Sequence, residues 1–203
     1  MTTTRIFLVR HGETEWNVAR RIQGQVDVPL NEGGRRQAEC LAGALAGAAL
    51  AAIYASDLSR AVETAEAIAA PHGLTVIREP ALRELGFGKW EGLDESEVQA
   101  RYPEAYRGWR EDSLRHRPPG GETIPELRTR VAAVYRGVLR AHAGQSVLLV
   151  AHGGPIRVLV LHALDAPLGA YPRLRTRNAS LSLIEVGKPG PVLRRYNHVC
   201  FLA

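Results

Sequence analysis

The chain has 203 residues, of which 45% are hydrophobic and 23% are charged, and its formal net charge is +5. This length and composition are typical of a folded α/β domain and exclude a largely disordered chain. No apolar run approaches the about 18 residues of a membrane span, and the N-terminus lacks the apolar stretch of a signal peptide, which favours a cytoplasmic protein. The basic residues are scattered, so we expect binding neither to nucleic acid nor to membranes.

Apolar runs and helical patterns alternate along the chain. The runs predict strands at residues 6–9, 51–55, 75–77, 147–150, 180–186 and 192–196. Helices are predicted at residues 31–46, 59–70 and 123–142, with a further helix beginning at Gly153. Asn31 is the expected cap of the first helix, and Ser56 or Asp57 that of the second. Apolar strands that alternate with helices predict a three-layer α/β/α sandwich with a mainly parallel central sheet.

Residues 85–121 differ from the rest of the chain. They are rich in basic and aromatic side chains and end in Pro118-Pro119-Gly120-Gly121. We interpret them as a lid segment inserted into a single domain that spans residues 1–203. The two cysteines, Cys40 and Cys200, have no metal-binding spacing, and we expect both to be buried as small apolar side chains.

His11 and His152 each stand at the end of an apolar strand and precede a glycine. Because ligands bind at the carboxyl ends of parallel strands, we expect both imidazoles at one edge of the sheet. A neutral imidazole can attack phosphorus, and Arg10 supplies a guanidinium group that matches a phosphoryl group. Two structural histidines, or two ligands of zinc or iron, are the alternatives. No metal-binding spacing or acidic cluster completes a metal site.

The segment Leu8-Val9-Arg10-His11-Gly12-Glu13-Thr14-Glu15-Trp16-Asn17 resembles the signature of the histidine phosphatase superfamily, in its phosphoglycerate-mutase-like branch. The resemblance continues in the order of the family across nearly the whole chain. The further matching segments are residues 23–24, 29–34, 56–65, 82–85, 90–92, 120–122 and 150–154.

The resemblance implies a phosphoryl-transfer site that uses neither a cofactor nor a metal. It identifies His11 as the histidine that becomes phosphorylated, with Arg10 and Arg60 as the arginines that hold the phosphoryl group. It also implies that His152 donates to the phosphoryl oxygens and that Glu84 gives a proton to the leaving oxygen. From local sequence alone, Arg60 could be a solvated helix arginine, and Glu84 a surface carboxylate paired to a basic neighbour.

Four further residues are implied in substrate binding. Asn17 and the backbone of Gly153 resemble additional phosphate donors. Gln23 and Gly24 resemble residues that line the mouth of the site.

These features predict a hydrolase that cleaves small-molecule phosphomonoesters through a phosphohistidine. The stretch between Glu84 and Gly120 is more compact than in cofactor-dependent phosphoglycerate mutases, which remain an alternative. A non-catalytic module that binds phosphorylated ligands is a second alternative, although the intact set of site residues argues against it. A small phosphorylated metabolite is the expected partner, and the sequence is compatible with a homodimer.

The arginines of the lid segment have two interpretations. They either form a solvated basic face or select substrates that carry a second anionic group. They are Arg101, Arg107, Arg110, Arg115 and Arg117.

Overall fold

The strands form one six-stranded sheet. The computed structural model describes residues 3–199 and residue 202. The strands are β1 (Thr4–Arg10), β2 (Leu50–Ala55), β3 (Val76–Arg78), β4 (Ser146–Ala151), β5 (Leu181–Val186) and β6 (Pro191–His198). They lie in the order β3-β2-β4-β1-β5-β6. The first four positions in this order are parallel, whereas β5 and β6 are antiparallel additions at one edge. The six predicted strands are confirmed, with ends that differ by one or two residues.

Helices cover both faces of this sheet. They are α1 (Glu15–Val18), α2 (Glu32–Leu45), α3 (Ser59–Ala69), α4 (Glu95–Arg101), α5 (Pro103–Glu111), α6 (Ile124–Ala141) and α7 (Gly153–Ala163). Successive side chains of a strand point to opposite faces, so Leu8 packs with α6 and α7 while Val9 packs with α2 and α3. In the same way, Leu149 packs with α6 and α7, whereas Leu148 packs with α2 and α3. Each of these buried side chains stabilises the fold by about 2 kcal/mol. The predicted three-layer sandwich is therefore confirmed.

The helix caps show where local sequence is a sufficient guide. Asn31 caps α2 as predicted, and its side chain accepts a hydrogen bond from Gly34 N at 2.7 Å. The predicted cap of α3 is wrong, because the helix follows Leu58, which makes no side-chain cap bond. Asp27, from a distant loop, instead accepts from Ser59 N at 2.8 Å.

Cys40 lies on the exposed face of α2, so the expectation that it is buried is wrong. The buried stripe of this helix includes Ala38, Leu41 and Leu45, and the helical period places Cys40 outside it. Cys200 lies outside the described residues. No helix in the described part of the chain combines the length and the apolar character that a membrane crossing requires.

The lid segment, residues 85–121, consists of a short 3₁₀ turn, α4, α5 and a loop. Trp90 anchors it, because this side chain is only 2% exposed. The Trp90 ring lies 6.4 Å from that of Tyr106 and 6.0 Å from that of Trp109, centroid to centroid. This aromatic cluster joins α5 to the 3₁₀ turn within the lid segment, and Trp109 also packs against the hydrophobic core of the domain.

Candidate active site

The carboxyl ends of β1, β4 and β2 bring three polar side chains together. Arg10 pairs in register with Ala151, so His11 and His152 leave the sheet as neighbours. Their ring centroids are 5.0 Å apart. Ser56 follows β2 on the other side of β4, and all three side chains are buried. The sequence-based expectation that both imidazoles share one sheet edge is met by this geometry.

His11 is held in one tautomer by the backbone. Its Nδ1 lies 2.6 Å from the carbonyl oxygen of Gly12. A carbonyl only accepts, so Nδ1 carries the proton and donates it, and Nε2 of the neutral ring keeps a lone pair. Burial, and then the charges of Arg10 and Arg60, hold the pKa of His11 well below its usual value. At neutral pH the ring therefore has the form that a nucleophile requires.

The loop that carries His11 packs tightly against the start of α2. A Cβ on Gly12 would collide with the carbonyl oxygen of Gly34, and a Cβ on Gly34 would collide with the backbone of Glu13. Gly12 N also donates to Thr64 Oγ1 at 3.1 Å. These contacts explain the two glycines, and they fix the carbonyl that orients His11.

His152 has partners at both ring nitrogens. Arg60 Nε donates to its Nδ1 at 3.3 Å, which leaves the proton of the neutral ring on Nε2. Nε2 lies 2.8 Å from Ser56 Oγ and donates to it. Burial, followed by the charges of Arg60, His11 and Arg10, holds the pKa of His152 well below its usual value. For His152 to donate to a phosphoryl oxygen through Nδ1, it would need a second proton or the other tautomer.

Arg10 and Arg60 are cations beside the two histidines, and Arg60 is buried while Arg10 is partly buried. Arg60 donates to the carbonyl oxygens of Val26 and Gly24, both at 2.8 Å. Arg10 donates to the carbonyl oxygen of Thr176 at 2.6 Å, while its buried Nε has no partner among the described residues. Burial lowers the pKa of both groups, that of Arg60 to about 10, and an arginine side chain is charged at neutral pH. An anion is the natural partner for these groups.

The carboxylate of Glu84 is hydrogen-bonded to the first turn of α7, beside His152. Its Oε1 accepts hydrogen bonds from Leu85 N at 2.8 Å and from Gly154 N at 3.0 Å. A Cβ on Gly153 would lie 3.7 Å from Glu84 Oε2 and 3.9 Å from Arg10 Cζ. The Glu84 carboxylate and the Arg10 guanidinium group therefore both lie close to Gly153.

The alternative of a surface ion pair between Glu84 and its basic neighbour Arg83 does not describe this geometry. Arg83 pairs with Asp57 instead, through hydrogen bonds of 2.7 and 2.6 Å. This pair lowers the pKa of Asp57. Because Asp57 binds Arg83, it does not cap α3. Ser56 does not cap the helix either, because its hydroxyl group is bonded to His152.

A two-residue clamp holds the turn that carries Glu84. Arg130, on α6, donates to the carbonyl oxygens of Ala81, Arg83 and Glu84 at 2.6–2.8 Å. The same guanidinium makes two hydrogen bonds of 2.7 and 2.8 Å to the carboxylate of Glu122. We call Arg130 and Glu122 the clamp, and residues 81–86 the Glu84 turn. Sequence reasoning did not single out Arg130.

Glu122 completes the attachment of the Glu84 turn. Gly86 N donates to Glu122 Oε2 at 3.0 Å, and Glu122 N donates to the Gly86 carbonyl at 2.8 Å. A Cβ on Gly121 would collide with that same carbonyl. The Gly-Gly-Glu motif therefore lets the end of the lid segment dock onto the Glu84 turn.

Asn17 is tied to the loop that carries His11 by Asn178, a residue that the sequence did not reveal. Asn178 Nδ2 donates to Asn17 Oδ1 at 3.0 Å and to the carbonyl oxygens of Gly12 at 3.1 Å and His11 at 3.3 Å. Thr14 N also donates to Asn17 Oδ1. The amide oxygen of Asn17 is thus occupied, and its NH₂ is the group that can donate to a ligand.

Gly24 contacts a residue of the site through its carbonyl oxygen, whereas the side chain of Gln23 has no such hydrogen bond. Gly24 adopts φ +51°, a conformation that favours glycine, and its carbonyl orients Arg60. The Gln23 side chain is buried, and its Oε1 has no partner in the described residues. No hydrogen bond among the described residues joins this side chain to the two histidines.

The sheet edge does not offer a metal shell. Within residues 3–199 and 202, no group of three histidine, cysteine, aspartate or glutamate side chains could hold a metal ion. The site is instead two neutral imidazoles beside two cations, with one carboxylate across the first turn of α7. Such a site can bind a phosphoryl group and present it to His11 Nε2.

Comparison with known proteins agrees with this geometry. Phosphoserine phosphatase 1 of Hydrogenobacter thermophilus is 35% identical over 198 residues, which cover 98% of this chain and 94% of that protein. A Yersinia pestis protein named "Probable phosphoglycerate mutase GpmB" is 41% identical over 184 residues, or 89% of this chain and 84% of that protein. The solved structure of mycobacterial glucosyl-3-phosphoglycerate phosphatase matches with a TM-score of 0.88 and 33% identity, over 96% of this chain and 99% of that one. The sequence model of the histidine phosphatase superfamily, branch 1, matches residues 6–199. This chain therefore belongs to branch 1 of the histidine phosphatase superfamily.

Proposed function

We propose that this protein is a metal-independent phosphomonoesterase that uses His11 Nε2 as its nucleophile. The observation that carries the proposal is the hydrogen bond from His11 Nδ1 to the Gly12 carbonyl, in a ring that is neutral at neutral pH. It leaves a lone pair on Nε2 beside the guanidinium groups of Arg10 and Arg60. The names of the relatives, phosphoserine phosphatase and glucosyl-3-phosphoglycerate phosphatase, support hydrolysis of phosphomonoesters. The cytoplasmic location stays a prediction from the sequence.

In the first step, His11 Nε2 attacks phosphorus and the bond from phosphorus to the ester oxygen breaks. Arg10 and Arg60 hold the non-bridging oxygens, where negative charge collects in the transition state. The electron pair of the broken bond leaves with the ester oxygen, which takes a proton from the protonated Glu84 carboxyl group. The product alcohol departs, and the phosphoryl group stays on His11.

In the second step, water attacks the phosphohistidine and the bond between phosphorus and Nε2 breaks. The Glu84 carboxylate takes a proton from the attacking water, which restores its acid form for the next turnover. The electron pair returns to Nε2. Inorganic phosphate leaves, and the hydrogen bond from Nδ1 to Gly12 is retained throughout.

A phosphoglycerate mutase is the second candidate, because the chain is 41% identical to the protein named GpmB. The two functions differ in the fate of the phosphohistidine, which transfers either to water or to a second hydroxyl group. Incubation with 3-phosphoglycerate and a trace of 2,3-bisphosphoglycerate separates them. We expect free phosphate, and rapid formation of 2-phosphoglycerate with little free phosphate would establish the mutase instead.

The direct test is to trap the intermediate. The enzyme is mixed with a phosphomonoester, quenched in alkali and analysed by mass spectrometry for phosphohistidine at residue 11. His11→Ala should abolish both the adduct and turnover, because the remaining groups can only bind phosphate. The matched control is His142→Ala, since His142 directly follows α6 and precedes the amino end of β4, whereas the site lies at the carboxyl ends of the parallel strands. An adduct on another residue, or turnover in His11→Ala, would overturn the proposal.

Metal independence has its own test. The phosphatase rate should be unchanged after exhaustive treatment with a chelator. A rate that disappears with the chelator and returns with a divalent ion would contradict this part of the proposal.

A further inference from the structure

A cavity of about 350 Å³ lies between the lid segment and α7. Phe87, Trp109 and Arg110 line it from the lid segment, and Arg157, Tyr171 and Arg175 line it from the opposite side. Its size suits the non-phosphate part of a small metabolite. The aromatic rings form an apolar wall, and the three guanidinium groups supply the charge.

The cavity adjoins the proposed reaction centre through Arg157 and Tyr171. Arg157 Nε donates to the Gly153 carbonyl at 3.1 Å, and its Nη2 donates to Tyr171 Oη at 2.8 Å. A Cβ on Gly154 would lie 3.3 Å from Tyr171 Oη and would collide with the Glu84 carboxylate. A molecule whose ester oxygen lies at Glu84 therefore has this cavity beside its leaving group.

The charges of the cavity are almost uncompensated. Among its described lining residues there is no aspartate or glutamate. Neither Arg157 nor Arg175 forms an ion pair with a carboxylate in the described part of the chain. Arg110 has only a 3.8 Å contact with Glu95, and both side chains are about two thirds exposed, so water screens that pair strongly. A cavity of this kind attracts an anion.

This charge distribution separates Arg110 from the other arginines of the lid segment, of which Arg107 is exposed and does not line the cavity. Arg101, Arg115 and Arg117 are exposed and pair with Glu97, Asp112 and Glu126 respectively, and none of them lines the cavity. They fit the solvated basic face, which is one of the two interpretations that the sequence allowed.

We propose that this cavity is a carboxylate subsite, in which Arg175, Arg157 and Arg110 recognise a carboxylate on the leaving group of the substrate. This inference rests on the proposed phosphatase function and specifies its substrate class as small carboxylated phosphomonoesters. Arg157 is already oriented by Gly153 and Tyr171, and it lies 4.0 Å from the centre of the Tyr171 ring. It is thus a preorganised donor, while Arg175 and Arg110 are the exposed members that close around the carboxylate.

The test compares substrates that differ only in the carboxylate. Phosphoserine is paired with phosphoethanolamine, and 3-phosphoglycerate with glycerol 3-phosphate. Fructose 1,6-bisphosphate and fructose 6-phosphate form a third pair, in which the extra anion is a phosphate. The measured quantity is the ratio of kcat/KM within each pair. For the unaltered chain we expect a ratio of about ten or more in favour of each carboxylated compound, as for a charge-assisted hydrogen bond.

Arg175→Gln and Arg110→Gln should each lower the ratio of both carboxylate pairs by about five- to tenfold. Arg173→Gln is the matched control, because Arg173 lies two residues before Arg175, at the end of the 3₁₀ helix Leu168–Arg173, but does not line the cavity. This variant should leave all ratios unchanged. Thermal unfolding of each variant confirms that it is folded, and the two independent substitutions keep the test valid if one of them is unstable.

The outcomes separate the subsite from the proposed function. Hydrolysis of all compounds with equal rates within the carboxylate pairs would overturn the subsite and leave the phosphatase intact. Discrimination confined to the bisphosphate pair would overturn the assignment to a carboxylate. Failure to hydrolyse any phosphomonoester would overturn the proposed function, and the subsite with it.

Discussion

Replacing Arg130 with methionine tests whether the clamp positions the proposed proton donor. The substitution keeps most of the aliphatic stem but removes five hydrogen bonds, three to carbonyl oxygens of the Glu84 turn and two to Glu122. Both side chains of the ion pair are only about a fifth exposed, at 21% and 22%. The carboxylate of Glu122 would then keep only its bond from Gly86 N among these contacts.

The size of the effect follows from the burial of this pair. Each hydrogen bond to a charged group contributes about 1.5–3 kcal/mol, but bonds that share one guanidinium group are not additive. Removal of one partner of a fully buried ion pair costs about 3–5 kcal/mol, and the partial exposure here places the loss at the lower end, near 3 kcal/mol. For a chain of this size, that loss lowers Tm by about 6–12 °C.

Catalysis should change in a way that loss of stability alone does not produce. When the Glu84 turn is free to shift by about 1 Å, protonation of the leaving oxygen should slow by about 100-fold. An alkyl phosphate needs that proton, whereas p-nitrophenolate leaves without it, so kcat should fall much more for the alkyl ester. Arg128→Met is the control, because Arg128 is exposed on the same helix.

The assay measures kcat and KM for both substrates below the unfolding transition of the variant. Combining Arg130→Met with Glu84→Gln should add no further loss of activity on the alkyl ester, since both changes act through one carboxyl group. Equal losses on the two substrates would refute the argument, as would full additivity in the double variant.

Three further predictions concern Glu84, Gly12 and the buried histidines. Glu84→Gln should reduce kcat for alkyl phosphates by about 10²- to 10⁴-fold and for p-nitrophenyl phosphate much less, and a uniform loss would show that Glu84 is not the general acid. Gly12→Ala should lower the free energy of unfolding, measured in urea, by about 1–3 kcal/mol, because its Cβ would collide with the backbone of Gly34. The control Gly43→Ala should be neutral or stabilising, because a Cβ there meets nothing within 4 Å. Equal effects of the two substitutions would contradict the packing argument. The pKa values of His11 and His152 are held well below normal in the folded state, so the unfolded chain binds more protons below about pH 6.5. The free energy of unfolding should therefore fall as the pH drops from about 6.5 to 5, and a flat profile would contradict this sign.

The sequence was a good guide wherever the signal is local. Each parallel strand is a short apolar run, and the residues that follow β1 and β4 carry the two histidines, so the sheet and its reactive edge could be predicted together. The cap of α3 could not, because its acceptor, Asp27, lies in a separate loop and no local pattern marks it. Local cap propensity was misleading there, since Ser56 and Asp57 make tertiary contacts instead.

The supporting residues of the site were missed for a related reason. Arg130 and Asn178 bond mainly to backbone carbonyl oxygens. Every residue has such an oxygen, so nothing in the sequence marks the ones that will be used. The lid segment shows the same limit, because the sequence grouped its arginines while the fold separates Arg110 from the others.

The order of strands in the sheet has a consequence for synthesis of the chain. β1 is made first, yet its two neighbours are β4 and β5, where Ile6 meets Val147 on one side and Ile184 on the other. During most of translation, both edges of the apolar strand β1 are therefore unpaired, and unpaired strand edges pair readily with other chains. Pairing over so long a sequence separation is also slow. A ribosome-bound or truncated chain that lacks β4 and β5 is consequently prone to aggregate. The active site also forms late, because His152 joins His11 only after β4 has been made and has paired with β1.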